Sequence, residues 1–338
     1  MSNMFIRSIT KCLFLFLGFI SLYAQEAKYP TLSESKIIVE GDSGKWDQNK
    51  VHTLSVVVAN KEGYKYWGYY GLSYYGGDPS FRKAGLIRSN DLVHWDKYEG
   101  NPIIKGDCRW PTVVLVNSVY YMFYAEYNED NDSRIVMLSS EDGINFDNKT
   151  VVVPMEKGKQ NQNPFIYFND QDGYIYLTYY SGIEKNLDTN SVRKSLDSSS
   201  TGKNLDSTKI ERSLGPSQNI WTIKLKKSKT VDGLKDAESK TLLSSPSILA
   251  APSVTFYRDK YYLLTEAFGP KWDNKWVTLS YESKEIEGPY EESSNNPVLS
   301  DNDACAFQYV LDNQLYIFYS HCLNLIKWDW ELRMVHAK

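Results

Sequence analysis

The chain has 338 residues, enough to bury a large core, and its 42 Asp and Glu against 38 Lys and Arg leave a formal charge of −4. That balance gives no electrostatic footprint for nucleic acid, and past the first two dozen residues nothing is apolar enough to cross a membrane as a helix. The surplus is aromatic, with 26 Tyr and 9 Trp, residues that suit pleated strands and also the faces of sugar rings.

In chain order, Arg7 and Lys11 precede an apolar run from Cys12 to Leu22, too short to span a bilayer, and small Ala24 stands before polar Gln25. This pattern predicts a cleavable signal peptide over residues 1–24. No Cys follows the run to take a lipid, so the expectation is a secreted or periplasmic protein, with no membrane insertion after the signal is removed. Export leaves Cys108, Cys305 and Cys322. Cys305 and Cys322 flank a predicted hairpin and can face each other as a disulfide or stay free; Cys108 is then the leftover thiol. No Cys/His spacing resembles a zinc site.

The remainder repeats. Five segments, "HTLSVVVANKEGYKYWGYYG", "RWPTVVLVNSVYYMFYAE", "QNPFIYFNDQDGYIYLTYYS", "AAPSVTFYRDKYYLLTEA" and "ACAFQYVLDNQLYIFYSH", each read as a strand, a turn and a Tyr-rich strand. Tyr66, Tyr121, Tyr176, Tyr262 and Tyr316 align, in steps of 55, 55, 86 and 54. A third alternating strand follows in every unit. A short fourth follows in four of them, "NPIIKG", "TVVVP", "KTLLSS" and "NPVLS". "SNDLVHW" and "SEDGINF" read as polar turns closed by an aromatic plug.

Four antiparallel strands per period make a propeller blade. The expected fold is therefore all-β, a five-bladed β-propeller in a single domain over residues 25–338. Blade cores fall near 51–105, 106–155, 160–245, 248–300 and 302–338. The last unit lacks an outer strand, and "KIIVEG" (36–41) is predicted to supply it and close the ring. The long third step holds a polar, Ser- and Asp-rich insertion over 184–218, expected to form a mobile loop.

In such a ring the start of each first strand and the end of each second strand meet at one mouth of the central channel. Starts of first strands bring His52, Thr53, Asp107, Arg109, Trp110, Gln162, Asn163, Ala250 and Asp303; ends of second strands bring Tyr70, Glu126, Ser181, Glu266 and His321. Carboxylates, amides and aromatics converging in this way point to a carbohydrate site.

The phrases "NPFIYFNDQDGYIYLTYYS" and "APSVTFYRDKYYLLT" resemble glycoside hydrolase family 43 and its five-bladed relatives. That resemblance implies action on arabinose-, xylose- or galactose-containing glycans by three carboxylates: a base before a Pro of blade one, an Asp-Pro of a middle blade, and a Glu two residues before an "xP" step. The matching positions hold Thr53, Asn163 and Ala250. Neither Thr nor Ala can protonate a leaving oxygen or activate water.

The expectation is then a site rebuilt on other carboxylates, with Glu266 as acid and Glu126 or Asp107 as base, the two glutamates facing each other across the channel. Asn163, Arg109, Trp110, His52, His321, Asp303 and Tyr70 are the predicted glycan contacts. The blander reading pairs each strand-end Glu with a nearby cation and Arg109 with Asp107. No cofactor is required by this chemistry; the resemblance implies that Ca²⁺ or water can occupy the channel centre, and no ligand set in the sequence compels one. The alternative function is a catalytically silent glycan-binding propeller.

Overall fold

The computed structural model describes residues 27–73, 82–182 and 220–338. The predicted signal peptide and the 184–218 insertion lie outside the described residues. The described strands form five four-stranded antiparallel sheets. An N-terminal strand β1 (Lys36–Val39) is followed by blade one, β2 (Val51–Lys61), β3 (Tyr64–Leu72), β4 (Ala84–Ser89) and β5 (Asp96–Lys97). Blade two is β6 (Arg109–Val116), β7 (Val119–Tyr127), β8 (Ser133–Ser140) and β9 (Asp147–Val153). Blade three is β10 (Gln160–Asn169), β11 (Tyr174–Gly182), β12 (Trp221–Ser228) and β13 (Lys240–Ser245). Blade four is β14 (Ala250–Tyr257), β15 (Lys260–Ala267), β16 (Val277–Ser283) and β17 (Glu291–Glu292). Blade five is β18 (Asp303–Leu311), β19 (Gln314–Asn324) and β20 (Asp329–His336), completed by β1 on the outer edge of β20.

Each first strand packs on the next, and β18 packs back on β2, which closes the ring as the repeat predicted. Successive residues of a strand face opposite ways, so each second strand fills two interfaces at once. Tyr120, Met122 and Tyr124 of β7 join the core between blades one and two, while Phe123 joins the core between blades two and three. In the same way Tyr261 and Leu263 of β15 face blade three, and Tyr262 and Leu264 face blade five.

This alternation corrects the repeat alignment in blade one. Tyr66 donates its hydroxyl to Asp312 and packs towards blade five, whereas Trp67 faces blade two. Trp67 is therefore the equivalent of Tyr121, Tyr176, Tyr262 and Tyr316.

Two of the expected fourth strands also differ. "NPIIKG" and "NPVLS" contribute single bridges, Ile104 to Ala84 and Leu299 to Thr278, and the paired strands are β5 and β17 upstream. Pro102 and Pro297 lack the N–H that a ladder needs. The preceding asparagines replace it: the Asn101 amide bonds both the N–H and the C=O of Leu86, each at 2.8 Å, and Asn296 does the same to Ser280 at 2.8 and 2.9 Å. The polar turns form as read, with Asp91 Oδ1 accepting from Val93 and His94, and Asp142 Oδ1 accepting from Ile144 and Asn145.

The disulfide does not form; Cys108, Cys305 and Cys322 are all free and buried. Register is the reason. β19 brings His321 opposite Asp303 and Ser320 opposite Ala304, which carries Cys322 past the start of β18 to pair with Trp330.

Candidate functional site

Every first strand opens with the same irregularity. The β2, β6, β10, β14 and β18 ladders break between His52 and Leu54, Arg109 and Thr112, Gln162 and Phe165, Ala250 and Ser253, and Ala304 and Phe307. One residue in each gap has a left-handed backbone: Thr53 (φ 49°), Trp110 (51°), Asn163 (50°), Ala251 (44°) and Cys305 (47°). A bulge of this kind bends the strand and re-aims a side chain. Asn tolerates the conformation, but β-branched Thr does so at a cost, and such strain gathers where function needs a fixed geometry. Thr53 and Asn163 stand on this ring, and Ala250 stands one residue before it.

Contacts reach across the ring. Asn163 Nδ2 lies 4.0 Å from Cys305 Sγ, joining blades three and five. Phe165 also packs edge-on to Phe307 at 5.2 Å and against Tyr309 at 5.6 Å, so aromatic side chains too join blades three and five. Among the described residues no three His, Cys, Asp or Glu converge as a metal site would require.

Glu266, one residue before the end of β15, is the direct ladder partner of Ala250. It follows Tyr262 and Leu264 on the face towards blade five, where its Oε2 accepts the Cys305 N–H at 2.9 Å and the thiol at 3.3 Å. Burial pushes its carboxyl up, and the two bonds from Cys305 only partly offset that. Burial likewise raises the Cys305 thiol, with the adjacent Glu266 charge adding to it.

The expected partnership of Glu126 with Glu266 fails on register. Arg109, the counterpart of Ala250 in blade two, pairs with Ala125. Ala125 is therefore the equivalent of Glu266, and Glu126, one residue further, points to the opposite face. There it accepts from Tyr124, from Arg134 Nη2 at 2.8 Å and from Lys149. Burial alone would raise its carboxyl, but the hydrogen-bonded Lys149 and Arg134 outweigh it and hold the group low.

Asp107 and Arg109 are brought together as read. Asp107 Oδ1 meets Arg109 Nε at 3.2 Å and Arg82 Nε at 3.5 Å, its Oδ2 accepts the Tyr127 N–H, and the Arg109 guanidinium lies 3.8 Å from the Tyr127 ring centre. Trp110 is half-buried, 6.2 Å from the same Tyr127 ring. Asp303 and His321, ladder partners at the mouth end of blade five, form a pair with Nδ1 2.8 Å from Oδ1. His52 is buried, its ring edge-on to Trp330 at 4.8 Å and its Nδ1 without a hydrogen bond; burial lowers it to about 3.

Tyr70 is not at the mouth. Like Tyr66 it faces blade five, fully buried, with its hydroxyl donated to Asp47 at 3.0 Å. The aromatics that do reach the rim sit in the connections between second and third strands. Phe268 packs on Trp276 at 5.0 Å, and Trp328 stacks on Trp330 at 5.5 Å and 8°, with Leu323 and Ile326 exposed beside it. These turns open on the same mouth by topology, a signal present in the repeat, since "FGPKWDNKW" and "LNLIKWDW" follow second strands directly.

Solved structures share this five-bladed fold. A thermostable family-43 glycoside hydrolase superposes with a TM-score of 0.57 at 17% identity, covering 91% of each chain. An endo-arabinase from Bacteroides thetaiotaomicron gives 0.59 at 15%, over 90% of this chain and 97% of its own. The catalytic domain of a Coprinopsis cinerea GH62 α-L-arabinofuranosidase gives 0.58 at 12%, over 92% and 98%. The chain has the five-bladed fold of these hydrolases. No protein-family profile matches this hydrolase-fold propeller, and none of the curated proteins matches it. At such identities the likeness is one of fold, and the chemistry rests on the propeller's own side chains.

Proposed function

We propose that this chain is an exported glycan-acting protein that hydrolyses O-glycosidic bonds at the mouth of its central channel, with Glu266 as the general acid. The carrying observation is the setting of Glu266. It is buried, lies beside the ring of left-handed residues, is the ladder neighbour of Ala250, and among the described residues is hydrogen-bonded to Cys305 and to no cation. Burial pushes its carboxyl up, the direction that protonation of a leaving oxygen calls for. Asn163 and Trp110 on the same ring, with the Trp328 rim, supply the amide and the aromatic faces a sugar needs. The substrate class is an arabinose-, xylose- or galactose-containing oligo- or polysaccharide, by analogy with the arabinase and arabinofuranosidase that share the fold.

A second reading, a catalytically silent glycan-binding propeller, is favoured by one observation: Glu126 and Asp107 are each tied to two cations. The discriminating experiment measures binding and product release by the mature protein, residues 25–338, over a panel of such glycans, beside Glu266→Gln. Hydrolysis predicts turnover that falls at least about 100-fold in the variant while glycan binding persists. Saturable binding with no release from any glycan would establish the binding module instead.

A further inference from the structure

We propose that Asp303 and His321 form the proton-accepting half of the site, with His321 Nε2 as the general base that activates water opposite Glu266. The inference rests on the hydrolytic reading above and assigns its missing base.

Alternation along the strands brings the two halves together. Tyr262 and Leu264 of β15 pack against Ile317 and Tyr319 of β19 in the core between blades four and five. Two residues further towards the mouth, each strand presents its next side chain to that interface, Glu266 from one and His321 from the other. The two strands are tied at this level. Cys305, two residues after Asp303 on β18, donates its N–H to Glu266; Thr278, the ladder partner of Glu266 on β16, donates its hydroxyl to the Asp303 carbonyl at 3.2 Å; and the Asp303 N–H is held by Trp276 O. Acid and dyad therefore stand on facing walls of one interface, held by one set of hydrogen bonds.

The dyad itself is built for one tautomer. Asp303 is buried, its Oδ1 is 2.8 Å from His321 Nδ1, and its Oδ2 accepts the Asp301 N–H at 3.1 Å, so both carboxylate oxygens are held. A carboxylate there accepts the hydrogen bond of Nδ1–H, which favours the tautomer with its lone pair on Nε2. Nε2 makes no hydrogen bond to a described residue, yet it is not among the buried unpartnered atoms, a set that does include His52 Nδ1. His321 thus offers a lone pair to solvent at the mouth, and His52 does not.

The step balances as a single displacement. The oxygen of a water attacks the anomeric carbon and gives one proton to His321 Nε2. The bond from that carbon to the glycosidic oxygen breaks, and the leaving oxygen takes the proton of Glu266. Exchange with solvent then returns a proton to Glu266 and removes one from the imidazolium, which Asp303 stabilises while it exists.

The test uses a glycan that the full mature chain binds and turns over, with His321→Gln and Asp303→Asn each checked for unaltered thermal unfolding. The dyad predicts kcat lower by about 100-fold or more in His321→Gln with the glycan Kd within threefold of the wild type. Added azide, which needs no base, should restore turnover and yield a glycosyl azide, a product that a merely structural role for His321 would not give. If His321→Gln unfolds, Asp303→Asn carries the test, because an amide at 303 no longer enforces the tautomer and kcat must fall without loss of binding. A kcat within threefold of wild type in the folded variants removes the dyad's role and leaves Glu266 standing. A wild type that binds glycans and releases nothing removes the hydrolytic reading and the dyad together.

Discussion

His52 and Glu266 are both buried near the mouth, yet their protonation works on stability in opposite directions. His52 falls from 6.5 to about 3 on burial, so the folded state binds fewer protons than the unfolded state between those values. Its stability contribution is complete above pH 6.5 and is lost as pH falls towards 3, which amounts to about 2 kcal/mol at pH 5. In urea unfolding at pH 7 and pH 5 the wild type should therefore lose about 2 kcal/mol more than His52→Phe, which keeps a flat ring against Trp330; equal losses would mean that the imidazole is not sealed. Glu266 is an acid whose folded value lies above its ordinary 4.5. Its favourable contribution is present below that value and is lost as pH rises through the folded one. Glu266→Gln should accordingly gain stability relative to wild type between pH 4 and pH 7.

At the scale of the strand, the asparagines before Pro102 and Pro297 show one device used twice. Each amide stands in for a strand residue, donating to a third-strand carbonyl and accepting from the same residue's N–H. Asn296→Ala leaves both Ser280 groups without that partner and should cost about 1–3 kcal/mol; Asn296→Asp keeps the acceptor and should cost less, both read as shifts in the urea midpoint. Much of the fold was legible because a five-times-repeated strand, turn and Tyr strand is stronger evidence than any one segment. The ring closure by "KIIVEG" and the Ser/Asp turns followed from it. What was not legible was side-chain direction. A period of two makes a one-residue error total, and that error put Tyr70 at the mouth and set Glu126 against Glu266. Only the ladder, with Ala125 opposite Arg109 and Glu266 opposite Ala250, separates the two glutamates. The left-handed ring had a partial signal in Pro111, Pro164 and Pro252, each following a ring residue, but Thr53 and Cys305 carry no such mark.

The whole ring depends on its N-terminal segment, which closes blade five and also staples it to blade four. β1 pairs with β20; Tyr29 is buried between the two blades, its hydroxyl on Gln308 Oε1 at 3.0 Å and its backbone held by both ends of the Asn295 amide. The Ala27 carbonyl takes the Ser294 N–H, and Ser33 N–H bonds His336 O. Deleting residues 27–40 would strip the outer edge of β20 and empty the space that Tyr29 fills, a cavity worth about 3–5 kcal/mol on its own. A bare edge strand is also a template for another chain. The deletion should therefore do two things that a simple core cavity does not do together: lower the unfolding midpoint and make sedimentation depend on protein concentration. Leu263→Ala, a cavity between blades three and four that leaves every edge paired, should lower the midpoint alone. If both variants sediment alike, β1 contributes packing and the ring does not need it as a clasp.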